Sequence, residues 1–152
     1  MKSNAVVDST CLIVLERIAR LSLLSELYSP VVIPPEVALE FGRILDWMEV
    51  RRPTGLEMFQ ALSTRLGAGE SAAITLAVEI APSAIILDDL DARRHAQKLG
   101  LPVIGTVGLT LKAKKAGLIS DVRVVLDELT QSGFYLSLAI RNEALRAANE
   151  LT

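Results

Sequence analysis

A three-layer α/β/α fold, with helices on both faces of a central and mainly parallel sheet, is what this sequence predicts, and three observations carry it. Short apolar runs rich in β-branched residues recur along the chain at Ala5 to Val7, Val31 to Ile33, Ala84 to Leu87 and Val103 to Ile104. Longer stretches with helical spacing of apolar residues separate them. The runs are continuously apolar instead of alternating with polar residues, as strands covered on both faces must be.

After the first run, Ser9 or Thr10 can cap a helix that carries Leu12, Leu15 and Ile18 on one face. Pro34-Pro35 closes the second strand and places a proline in the first turn of a helix with Val37, Phe41, Leu45 and Met48 aligned. Pro53 to Gly55 interrupts, and a small-residue helix is expected from about Gly69 to Ala81, its alanines suited to close packing on the sheet. A helix from about Asp89 to Leu99 follows the third strand and stops at Gly100 and Pro102. Another runs from about Thr106 to Ala116, with Gly117 just past its end. Ser120 and Ser137 are candidate caps for two late helices of structural character.

The chain has 152 residues, 51% of them apolar and 22% charged, which suffices for one full hydrophobic core. No repeat or linker composition divides it, so residues 1–152 are expected to form a single domain. No apolar run reaches the ~18 to 20 residues of a membrane span, and Met1 to Asn4 enter a strand-like stretch without a cleavable signal pattern, so a cytoplasmic protein is expected. Cys11 and His95 are each the single residue of their kind, which excludes an internal disulfide and a zinc site of Cys and His ligands. Any metal site must use oxygen ligands.

A net charge of −2 does not announce nucleic-acid binding. Arg51-Arg52, the group Arg93, Arg94, His95 and Lys98, and the group Lys112, Lys114 and Lys115 could each touch phosphate, although a solvated helix face accounts for any one of them alone.

The acids are more informative by position. The first strand ends in Asp8 and the third in Asp88-Asp89, with Asp91 two residues on. Ligands of open parallel sheets bind beyond the carboxyl ends of the strands, so parallel neighbours would bring these carboxylates together. Glu70 opens its helix after Gly67-Ala68-Gly69, and Glu40 lies one turn beyond Glu36. Glu36 is explained by the helix dipole, whereas Glu40 is past the first turn and four residues from another acid, which calls for a further attraction such as a cation. Capping and dipole effects would explain Asp8, Asp89, Asp91 and Glu70 one at a time. Taken together, unneutralised carboxylates repel one another unless hard ions such as Mg²⁺ or Mn²⁺ share them, and such ions bind phosphate oxygens and assist phosphodiester cleavage.

In the segments Val6-Val7-Asp8-Ser9-Thr10, Val32 to Glu40, Leu66 to Ile74, Ile85 to Arg93 and Ala96 to Thr106, in that order, the sequence resembles the PIN-domain nucleases, especially their VapC-like toxin branch. The resemblance implies an α/β/α sandwich and a metal-dependent endoribonuclease using Mg²⁺ or Mn²⁺. By position, Asp8, Glu40, Glu70 and Asp89 match the family's acidic quartet; the metal ligands would be Asp8 and Glu40 with Asp89, Asp88 or Asp91. It further implies RNA as substrate, a homodimer, and a small antitoxin protein as partner. The alternative is a PIN-like binding or scaffold module that has lost cleavage.

Other readings fit less well. Asp89-Leu90-Asp91 has the outline of a haloacid-dehalogenase motif, but Arg93 stands where that motif wants Thr or Val. A receiver domain would want an acidic pair after the first strand, where Asp8 is alone. Gly67-x-Gly69 lacks the third glycine of a dinucleotide site, and no Walker loop occurs. Cys11 reads as a small buried residue and His95 as a surface one.

Overall fold

The computed structural model describes residues 2–151. Five parallel strands form one sheet, β1 (Ser3–Val7), β2 (Tyr28–Ile33), β3 (Met48–Val50), β4 (Ala84–Ile86) and β5 (Val103–Ile104), in the order β3-β2-β1-β4-β5. The chain builds outward from β1 to β3, then crosses back to add β4 on the other side. The strand order therefore reverses beside β1, and the crevice of such a sheet opens at that place. β1 and β4 pair as expected, with Ala5 opposite Ala84, Val6 opposite Ile85 and Val7 opposite Ile86.

Alternate residues of each strand feed opposite layers. Ala5, Val7, Val31, Ile33 and Ile86 pack against α1 (Ser9–Arg17), α2 (Ser22–Leu27), α3 (Pro35–Phe41) and Leu109 of α7 (Thr106–Lys115). Val6, Val32 and Ile85 pack against α5 (Ala68–Ile80) and α6 (Leu90–Lys98), with Leu62 of α4 (Leu56–Ser63) at the margin. The layered sandwich follows, because the central strands β1 and β4 and the end of β2 are covered on both faces. A third apolar cluster joins α8 (Val122–Gln131) and α9 (Leu138–Ala147) to Val14 of α1 and to α7, outside the sheet.

Several expectations need correction. The helix after Pro35 does not continue through Leu45 to Met48: Gly42 takes φ +93° and ends α3, and Met48 begins the edge strand β3. A left-handed residue stops a helix, and glycine adopts it without a Cβ clash. Neither Ser9 nor Thr10 caps α1, because Asp8 occupies the N-cap position and the Ser9 hydroxyl is turned elsewhere. Ser120 does not cap α8, which starts after Asp121, whereas Ser137 does cap α9 through a 3.2 Å bond from the Ile140 N–H. The α4 helix and the short α2 were not anticipated. Among the described residues no helix is long and apolar enough to cross a membrane.

Candidate active site

Asp8 leaves β1 at the reversal point, its backbone N–H bonded to the Ile86 carbonyl at 3.1 Å, and its side chain is only 3% exposed. Oδ1 is buried without any hydrogen-bond partner. An unpartnered buried carboxylate oxygen is costly, since desolvation disfavours its charge. Burial accordingly pushes the Asp8 pKa up to about 7; the Ser9 backbone N–H opposes this, and the charges of Glu70, Glu40 and Asp88 add to it.

Glu40 is carried by α3 to the same place. The Ser9 hydroxyl donates to its Oε1 at 3.0 Å, tying the start of α1 to α3 across 31 residues. Gly69 of α5 closes the third side. A Cβ there would collide with Glu40 Oε1 and stand 3.3 Å from Asp8 Oδ1, so the absence of a side chain at residue 69 is what admits both carboxylates to one point of the α5 backbone.

Glu70, the next residue, turns back to accept the Gly67 N–H at 3.2 Å. This is one half of a capping box, since Gly67 has no side chain to complete the other. Its pKa is raised, first by burial and then by the charges of Asp89, Glu40 and Asp91, against the lowering effect of the Gly67 bond.

The three aspartates after β4 part company. Asp88 turns inward and is held at the start of α7: Oδ1 accepts the Thr106 N–H at 2.7 Å and Oδ2 the Thr106 hydroxyl at 2.6 Å. Burial raises its pKa, while the Thr106 bonds and the Arg93 charge oppose the rise. Asp89 is exposed and caps α6, with Oδ2 accepting the Ala92 N–H at 2.9 Å. Asp91 is exposed and paired with Arg94 at 3.1 Å. The carboxylate nearest Asp8 on this loop is thus Asp88, and Asp89 stands further out toward Glu70.

The arrangement is an acidic crevice at the switch point of the sheet, with Asp8 innermost, Asp88 and Glu70 half-buried, and Glu40 and Asp89 on its exposed side. No lysine or arginine forms an ion pair with any of these five among the described residues. No three of the carboxylates are drawn together tightly enough to enclose an ion as they stand, which mutual repulsion itself favours. The donor set nonetheless suits a hard cation: carboxylate and hydroxyl oxygens only, one of them a buried Asp8 oxygen without a partner.

Sequence reasoning missed Ser9, Gly69 and Thr106 as parts of this crevice. Thr106 follows the last strand directly, the one signal that could have marked it as facing the loop after β4. The basic clusters mostly have local explanations. Lys114 donates to Glu150 and to the Ala148 carbonyl, Lys112 lies 4.9 Å from the Tyr28 ring centroid, and Arg51 and Arg52 are solvated. Cys11 is buried, and His95 is half-buried on α6.

A family model described as a PIN domain matches residues 4–150, nearly the whole chain. The chain belongs to the PIN-domain family, whose members are generally nucleases that use divalent metal ions. No curated protein and no solved structure shows significant similarity to it.

Proposed function

We propose that this protein is a Mg²⁺- or Mn²⁺-dependent endoribonuclease of the VapC-like toxin branch, folded as one domain, working as a homodimer and restrained by a small antitoxin protein. The observation that supports it best is the buried, unpartnered Oδ1 of Asp8 among other carboxylates at the switch point of the sheet. Asp8, Glu40 and Asp88 would hold the cation, with Glu70 and Asp89 beside them; Asp91, engaged by Arg94, falls outside this set. A divalent ion so held supplies charge neutralisation at the scissile phosphate and activation of the attacking water. Ser9 and Thr106 orient Glu40 and Asp88. Because the ionised form of Asp8 is the ligand, cation uptake displaces its proton, and affinity should rise with pH up to about 7.

The test is cleavage of single-stranded RNA by the purified chain with either ion and with chelator. Asp8→Asn should lower the rate on the order of 10²-fold or more while the fold survives. Asp88→Asn should do the same, and Asp89→Asn less, because asparagine caps a helix nearly as well as aspartate. Equal activity of Asp8→Asn and the parent would refute the crevice as catalytic site.

A second reading, a scaffold that has lost cleavage, draws on the engagement of Glu70 and Asp89 as caps. Thermal melting separates the two. An ion at about a hundred times its dissociation constant stabilises the folded chain by about 2.7 kcal/mol, and Asp8→Asn should remove the shift. A parent protein indifferent to millimolar ion would favour the scaffold.

A further inference from the structure

Beside the acidic crevice the structure holds a cavity of about 630 Å³ between β5, α7 and α9, within the size range of small-molecule sites. Its walls are mostly apolar, with Ile104, Leu111, Phe134 and Ile140 among them. Three features set it apart from a packing defect. It opens onto Asp88, so it is continuous with the crevice. Arg93 lines the same end, and a Cβ at Gly105 would stand 2.7 Å from its Nη1 and 3.1 Å from Asp88 Oδ1, so the guanidinium lies across the bare backbone of Gly105 beside that acid. Arg93 is half-buried yet has neither an ion pair nor a side-chain hydrogen bond among the described residues, leaving its donors for another partner. Finally, Tyr135 on the lining is 85% exposed, an aromatic ring with little of its own protein to cover it.

We propose that this cavity is a nucleotide subsite, in which Arg93 binds the phosphate next to the cleaved bond and the wall carrying Phe134 and Tyr135 receives the adjoining base. The inference rests on the RNA-cleaving reading above and adds to it where the strand lies. The chemistry matches part by part. A planar guanidinium forks onto phosphate, and here it sits between acidic crevice and apolar cavity, where a strand entering one would pass its phosphate before placing its base in the other. Aromatic faces accept any base by stacking. Glu143, the remaining acid on the lining, sits on α9 and can accept from a base's exocyclic amino group.

The test uses the full chain carrying Asp8→Asn, in chelator, so that cleavage cannot intrude, and a short fluorescent single-stranded RNA as probe. Arg93→Ala should weaken binding about tenfold and reduce the salt slope by about 0.7, the share of one phosphate contact on a single strand. Arg93→Lys should recover most of the slope and only part of the affinity. Gly108→Met fills the cavity from α7 at a position where a Cβ meets only Ile104, at an ordinary 3.5 Å. It should weaken binding about tenfold with the slope unchanged, because it removes stacking and leaves the phosphate contact. A probe lacking one base should be indifferent to Gly108→Met when the missing base is the one bound. Unaltered RNA binding in both Arg93→Ala and Gly108→Met, with melting temperatures like the parent's, would overturn the subsite and leave the nuclease reading standing. Unaltered RNA binding with a changed oligomeric mass in Gly108→Met would assign the cavity to a protein partner instead. A parent that neither binds nor cleaves RNA would bring down both readings.

Discussion

Asp8 and Glu150 are both withdrawn from solvent beside the start of a helix, yet their surroundings drive them in opposite directions. Asp8 precedes α1 with an oxygen no group satisfies and three other acids nearby. Glu150, whose side chain is 11% exposed, accepts from the Val122 N–H at 2.7 Å and the Arg123 N–H at 2.9 Å, and from Lys114 Nζ at 2.7 Å. It caps α8 from outside and staples the end of the chain to α7 and α8. These partners hold its pKa down to about 2 against the raising effect of burial, whereas Asp8 is raised to about 7. Satisfied acids are architecture. An acid left unsatisfied in a crevice marks a candidate functional site.

The widest separation should come from neutralising each acid. Asp8→Asn should lose cleavage and, without divalent ions, gain stability at pH 8. Glu150→Gln should lose about 1–3 kcal/mol of stability, measured by urea titration, and retain the cleavage rate per folded molecule. Should Asp8→Asn prove the less stable of the two, the contrast collapses.

The pH dependence sharpens the same contrast through its sign. The folded pKa of Asp8 lies above its ordinary 3.8, so the folded chain keeps a proton the unfolded chain has released. Metal-free stability should therefore fall as pH rises from about 4 to 7, by an amount on the order of 4 kcal/mol from Asp8, and Asp8→Asn should remove that share and leave the smaller one from the raised Glu70 and Asp88. Glu150 has the opposite sign. Its contribution is complete above pH 4.5 and is lost as pH falls toward about 2, a loss that Glu150→Gln should remove. Melting curves of parent and both variants across this range would reveal the two windows.

Gly69→Ala should have the smallest effect on stability. The atom its methyl would strike is the far end of the flexible Glu40 side chain, and alanine favours a helix over glycine by about 1 kcal/mol, so stability should change by less than about 1 kcal/mol in either direction. The function should not be spared, because Glu40 must swing away from Asp8. Cleavage reduced about tenfold with an unchanged melting temperature would mark Gly69 as setting the carboxylate spacing.

Strands were legible where burial on both faces wrote a continuous apolar run, and the acids ending β1 and β4 were legible for the same reason. β3 was not, because Met48-Glu49-Val50 is a short edge strand with two of three residues exposed to solvent. α4 was obscure because it buries no residue fully. The choice among Asp88, Asp89 and Asp91 turned on where β4 ends and which residue then caps α6, a matter of one residue that composition does not encode. The bond from Ser9 to Glu40 spans two elements and leaves no local trace.

The order of the strands also governs when the crevice comes into being. β2 lies within about thirty residues of β1 along the chain, whereas β1 meets β4 only by closing a loop across which Asn4 and Ser83, 79 residues apart, already bond. Loop-closure entropy favours the nearer pairing first. Asp8 and Asp88 ride on the two strands that join late, so their charges stay far apart while the rest of the sheet collapses and crowd together only at its completion. On that order a chain caught halfway to its native state would have Asp8 and Glu40 together but would lack Asp88, and the crevice would be complete only once β4 joins β1.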